Sequence, residues 1–150
     1  TLIAVGRPDD ALALHLNDVF FRHRFCDLRP YDGAVPVLEA LEARCTLGVI
    51  SNGNTRPGNL GIEGRFKFSV YAQDCGVEKP DPRIFALALE RAHCSPHELV
   101  HVGDSLENDV AGAKGVGARG IWLNRDGRVP ASGIKPDLEI SSLRELLEIL

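Results

Sequence analysis

Three short stretches of this sequence carry residue types that can do chemistry on an oxyanion. Ser51-Asn52-Gly53 offers a hydroxyl, an amide and successive backbone N–H groups in a tight turn, all donors suited to a phosphate oxygen. Lys79 stands between Glu78 and Pro80, just ahead of a helix start, where a cation opposes the helix dipole. Gly103-Asp104 with Asp109 puts two carboxylates around a sharp turn, and carboxylates suit a hard divalent cation. Plainer readings exist for all three. The first is a polar turn, the second a solvated charge, and Asp104 is a helix cap worth about 1 kcal/mol, with Asp109 complementing the dipole. Their order favours a shared site. Ser51 and Asp104 stand where apolar runs give out, Lys79 lies in a loop between them, and in an open α/β sheet chemistry collects at the carboxyl ends of strands.

The elements that must position these residues follow from the hydrophobic pattern. Leu99, Val100 and Val102 form an apolar run that reads as a buried strand, and Leu106, Val110 and Ala113 recur behind it at helical spacing over about 105–115. Thr46 to Ile50 reads as the strand that empties into Ser51; Phe68 to Ala72, Arg119 to Asn124 and Leu138 to Ile140 read as three more. Helices are expected over 9–25, where Leu12, Leu16, Val19, Phe20 and His23 share a face, and over 34–44, with Val35, Leu38 and Leu41 inward. Another starts at Pro82 and buries Ile84, Phe85, Leu87, Ala88 and Leu89. Ser95 to Glu98 reads as a capped single turn, and Thr55 to Gly64 as loop or short irregular helix. Ser142 to Glu145 is a capping box ahead of a stripe of Leu143, Leu146, Leu147 and Leu150. Such alternation predicts an α/β fold, a three-layer Rossmann-like sandwich around a mainly parallel sheet.

A donor turn, an isolated lysine and G-D-x-x-x-x-D, in that order, resemble the haloacid dehalogenase (HAD) superfamily of hydrolases from Tyr31 onward. Ser51 matches the family's second motif, Lys79 its third, and Gly103-Asp104 with Asp109 its fourth. The longer stretches 49–54, 78–85 and 101–104 look like the branch that contains flavin mononucleotide and ribitylaminouracil-phosphate phosphatases. The resemblance implies a Mg²⁺-dependent phosphatase acting on a small phosphorylated metabolite through an aspartyl-phosphate. It implies that Asp104 ligates Mg²⁺ directly and Asp109 directly or through water. Lys79 would neutralise the nucleophile and the transferring group, while Ser51 and the amides of Asn52 and Gly53 would hold the phosphoryl oxygens. One lysine contact at about 4 Å, with an effective dielectric near 20, is on the order of 4 kcal/mol before desolvation.

The family's first motif, D-x-D-x-T/V after an apolar strand, supplies the nucleophile, the general acid and the central strand of the sheet. No such motif occurs in the sequence: Asp9-Asp10, Asp27, Asp32 and Asp74 lack both the second aspartate at the right spacing and the preceding strand. The expectation is therefore an incomplete HAD-like core over 30–150, with 1–29 as the C-terminal remnant of a helical cap. The first, central strand and the nucleophile would come from a missing N-terminal segment, and the 150 residues alone would be inactive. Two further readings share the fold. A 2-haloacid dehalogenase-like hydrolase would need no Mg²⁺, and the acidic fourth motif weighs against it. A catalytically inactive binding domain fits the missing motif but not the retained Ser51, Lys79, Asp104 and Asp109.

Composition narrows the partners. With 17 Lys and Arg against 21 Asp and Glu, the net charge of −4 offers no basic field for nucleic acid. No apolar run approaches the roughly 18 residues of a membrane span, so a cytoplasmic setting is expected. Cys26, Cys45, Cys75 and Cys94 form no C-x-x-C pair and read as small buried hydrophobes. Pro96 between His93 and His97 spoils a shared helical face for a metal.

Overall fold

The structure is a computed structural model that describes residues 10–130 and 133–150. The first nine residues, with Asp9 and the opening of the segment read as a cap remnant, lie outside the described residues. Helix α1 (Asp10–Phe25) forms where the sequence places a helix, but none of its residues is buried. Leu14, Leu16, Val19 and Phe20 are all exposed. No helix among the described residues is long and apolar enough to cross a membrane.

From α2 (Ala34–Glu42) onward the chain alternates between helix and strand. Strand β1 (Gly48–Ser51) pairs in parallel with β2 (Phe68–Tyr71). Strands β3 (Val100–Gly103), β4 (Arg119–Leu123) and β5 (Leu138–Ile140) form a second parallel group in that order. Helices α4 (Pro82–Ala92) and α5 (Gly112–Gly115) pack on one face, where Val70, Ile84, Phe85, Ala88, Ala113 and Ala118 form one cluster. On the other face, α2 and the terminal α6 (Leu146–Ile149) close over Val37, Leu41, Ile121, Leu123, Ile140 and Leu146. Strand alternation explains the division: Ile121 and Leu123 face α2, while Trp122 turns the other way to meet Leu106 and Val110. Full burial of a side chain such as Phe85 contributes about 1.5–3 kcal/mol.

This is the expected three-layer α/β sandwich, and its sheet is divided. Among the described residues neither β1 nor β3 has a second strand partner. Between them runs a cavity of about 580 Å³ whose walls include Leu41, Ile50, Val100, Val102 and Leu146.

Several local expectations need correction. Helix α2 turns Ala34, Val37 and Leu41 inward, whereas Val35 and Leu38 are half-buried. Strand β2 stops at Tyr71, and Ala72 opens the single helical turn α3 (Ala72–Cys75) that Gly76 ends in the left-handed region. The helix expected over 105–115 is a π-helix over Leu106–Ala111 that continues as α5. All four cysteines are free, but Cys26 and Cys45 are exposed and Cys75 and Cys94 half-buried, so they are not core residues.

Candidate active site

Lys79 belongs to the loop between α3 and α4, and a side chain from the end of β1 holds its backbone in place. Asn52 Oδ1 accepts from the Lys79 N–H at 2.7 Å, and Asn52 Nδ2 donates to the Lys79 carbonyl at 2.9 Å. The lysine then reaches back across the end of the sheet. Its Nζ donates to the Ile50 carbonyl at 3.0 Å and to Asp109 Oδ1 at 2.5 Å. The side chains of Lys79 and Asp109 are only 11% and 6% exposed, so this ion pair is largely shielded from water. Two residues further on, Asp81 caps α4 by accepting from the Arg83 N–H, with Pro82 in the first turn as expected.

Asp109 points inward because of the π-helix. The Ser105 carbonyl accepts from both the Asp109 and Val110 N–H groups, at 2.9 and 3.2 Å, and this widens the turn. Ser105 Oγ accepts from the Asn108 N–H at 3.1 Å, while Asp109 Oδ2 reaches back to the Ser105 N–H at 3.0 Å. The arrangement is a reciprocal cap displaced one residue beyond the usual capping box. It lays the carboxyl group over Gly103, where an added Cβ would collide with it. His101 is two positions before Gly103 on the same strand face, and its Nε2 lies 2.9 Å from Asp109 Oδ1. A carboxylate only accepts, so Nε2 is the donor. The His101 ring stands edge-on to Phe85 at 5.2 Å. Burial pushes the Asp109 carboxyl up, but the His101 hydrogen bond and the Lys79 ammonium outweigh it and hold the group well below the usual carboxylate range.

At the end of β1, Ser51 Oγ accepts from the Gly53 N–H at 3.0 Å and closes the turn that carries Asn52. At the end of β3, Asp104 is exposed and is not the helix cap, a role that Ser105 takes. The Asp104 backbone carbonyl accepts from Trp122 Nε1 and Arg128 Nη2, at 3.1 and 3.0 Å. Its carboxylate has no hydrogen-bond or ion-pair partner among the described residues. Beside it lies a cavity of about 280 Å³ lined by Glu107, Trp122 and Arg128.

The sequence-derived residues therefore fall into two groups at neighbouring strand ends. Asn52, Lys79 and Asp109 are linked by hydrogen bonds, and Ser51 and Gly53 close the turn that carries Asn52, while among the described residues the Asp104 carboxylate hydrogen-bonds to none of them. No group of three or more His, Cys, Asp or Glu side chains converges to hold a metal among the described residues. The donor set still suits Mg²⁺ in part, because that ion keeps several waters and binds through one or two carboxylates plus substrate phosphate. Asp104 has a carboxylate to offer, whereas both oxygens of Asp109 already accept from protein donors. Sequence reasoning missed His101, whose signal was its period-2 spacing from Gly103, and the Ile50 carbonyl, which gives no signal in residue type.

Donors, a buried lysine and carboxylates at the strand ends of a parallel α/β sheet stand where such folds bind their ligands. The chain belongs to the haloacid dehalogenase-like hydrolases, whose family description matches residues 5–117. It is 33% identical to the pyrimidine 5'-nucleotidase YjjG of Escherichia coli K12, over 90% of this chain and 63% of that protein. It is 32% identical to the 5-amino-6-(5-phospho-D-ribitylamino)uracil phosphatase YigB of the same organism, over 75% of this chain and 49% of the other. Among solved structures, the 2-haloacid dehalogenase of Pseudomonas syringae pv. tomato is 38% identical with a TM-score of 0.84, over 94% of this chain and 63% of that one. The chain thus spans less than two thirds of the length of these relatives.

Proposed function

We propose that these residues are the C-terminal part of the core of a Mg²⁺-dependent phosphatase that acts on a small phosphorylated metabolite through an aspartyl-phosphate. The observation that carries this reading is the buried Lys79–Asp109 pair, which ties the end of β1 to the helix that follows β3, with Asp104 exposed at the end of β3. The nucleophilic aspartate would arrive on a strand, from outside these residues, that fills the slot between β1 and β3. Residues up to 29 would belong to a cap and those from 30 onward to the core.

The residues present have definite tasks in that reaction. Phosphoryl transfer needs positioning and charge neutralisation more than new covalent chemistry. A lysine ammonium has three donors, and Lys79 uses two on Ile50 and Asp109, which leaves the third for the nucleophile or a phosphoryl oxygen. Ser51 and the amides at the β1 turn would hold further phosphoryl oxygens. Asp104 would hold Mg²⁺ directly and Asp109 through water. When bound, the ion neutralises phosphoryl charge.

The test is hydrolysis of p-nitrophenyl phosphate by the full-length protein with Mg²⁺ and with EDTA. Mg²⁺-dependent turnover is expected, and its loss in Asp104→Asn. A second reading, dehalogenation of a 2-haloacid, draws support from the Pseudomonas syringae structure. Chloride release from 2-chloropropionate that EDTA leaves untouched, with no phosphatase activity, would select it.

A further inference from the structure

We infer that Asn52 is a positioning residue that acts through the backbone of Lys79, an inference that rests on the phosphatase reading above. The Lys79 loop has no ladder of its own: it lies between α3 and α4, outside any strand or helix. Asn52 supplies the missing rung, because its amide satisfies the Lys79 N–H and C=O together, at 2.7 and 2.9 Å. This two-point contact mimics a strand neighbour and fixes both peptide planes around the lysine Cα.

The consequence concerns reach. A lysine side chain is long and flexible, so Nζ is held in one place best when the chain is anchored at both ends. The far end is held by the Ile50 carbonyl and Asp109 Oδ1, and the near end by Asn52. Ile50 and Asn52 lie on either side of Ser51, the residue that ends β1. One strand end therefore sets both the origin and the destination of the lysine. The third ammonium donor takes its direction from this double hold. Asn52 thereby does its work with its side chain on Lys79, in addition to any contact its own backbone amide makes.

A substitution should then act on the chemical step more than on binding. In the full-length protein, Asn52→Ala is expected to lower kcat for p-nitrophenyl phosphate about 10–100-fold, the scale of a misplacement near 1 Å, and to change KM less than about threefold. Hydrogen exchange of the Lys79 amide should accelerate in the same variant, a readout of the clamp that needs no activity. Asn52→Asp keeps the acceptor for the N–H and loses the donor to the carbonyl. It is expected to keep the Lys79 amide protected while lowering kcat, and it decides the matter if the alanine variant does not fold. Faster Lys79 exchange with unchanged kcat overturns the inference and leaves the phosphatase reading intact. So does a rise in KM with kcat preserved, which would make Asn52 a binding group. A wild-type protein with no phosphatase activity overturns the reading itself, and the inference with it.

Discussion

Lys79 Nζ and Asp109 Oδ1 meet at 2.5 Å across a sheet that is otherwise divided between β1 and β3. The same ammonium donates to the Ile50 carbonyl, so one side chain ties the end of β1 to the helix that follows β3. Removing one member of a buried pair strands the other charge, at a cost of about 3–5 kcal/mol. In the full-length protein Lys79→Met is expected to lose on the order of 3 kcal/mol by urea denaturation and at least about 10³-fold in phosphatase kcat. Lys79→Met with Asp109→Asn should recover part of the stability and none of the activity. Recovery of both would make the pair merely structural.

Gly103 offers a sharper test of local geometry. A Cβ there would land on the Asp109 carboxyl group, whereas at Gly115 it would meet nothing within 4 Å. Gly103→Ala should force Asp109 off Lys79 and His101, costing about 1–3 kcal/mol as overpacking does. Gly115→Ala lies in α5 and is expected to be neutral or to stabilise by up to about 1 kcal/mol. Thermal melts of the two variants compare them directly, and equal shifts would contradict the packing described at Gly103.

Much of this arrangement was legible in residue type and spacing. The strand exits, the helix beginning at Pro82 and the capping box at Ser142 all follow from short-range rules of period, proline and cap. Legibility failed where tertiary context decides. Nothing local says that the turn after Ser105 widens to place Asp109 over Gly103, where the Lys79 ammonium and the His101 ring meet its carboxyl group. Nor does an asparagine beside Ser51 announce that its amide will pair with a residue 27 positions later. Helix α1 shows the opposite limit: its apolar face was legible, but the described residues bury none of it.

Asp137 provides a pH test away from the site. Its carboxylate accepts from Lys114 Nζ and from the Gly120 N–H, each at 2.8 Å, joining the start of β5 to α5 and β4. The Lys114 hydrogen bond, then the Gly120 N–H, hold its carboxyl below the usual carboxylate range. A depressed folded value gives stability that is present above the unfolded value near 3.9 and lost as pH falls through the folded one. The side chain is 35% exposed, so solvent screening reduces the contribution to about 0.5–1 kcal/mol. Asp137→Asn is expected to cost that much at pH 7, and the gap to wild type should close on acidification below about pH 4. A constant gap from pH 7 to 3 in urea denaturation would rule the linkage out.

The slot between β1 and β3 makes the last prediction. Each of these strands leaves one edge without a strand partner among the described residues, and an apolar cavity of about 580 Å³ separates them. The proposed reading puts one strand in the slot, paired with both edges at the usual spacing of about 4.7–4.9 Å. Without it, backbone groups at roughly 1–3 kcal/mol each go unsatisfied, which approaches the 5–15 kcal/mol stability of a whole domain. The 150 residues alone are therefore expected to bind a hydrophobic dye, to melt without a cooperative transition and to leave p-nitrophenyl phosphate intact. A protein extended upstream should melt cooperatively and exclude the dye. Should the 150-residue chain melt sharply, exclude dye and turn over the ester with Mg²⁺, the slot needs no strand, and the nucleophile must be sought among the aspartates already present.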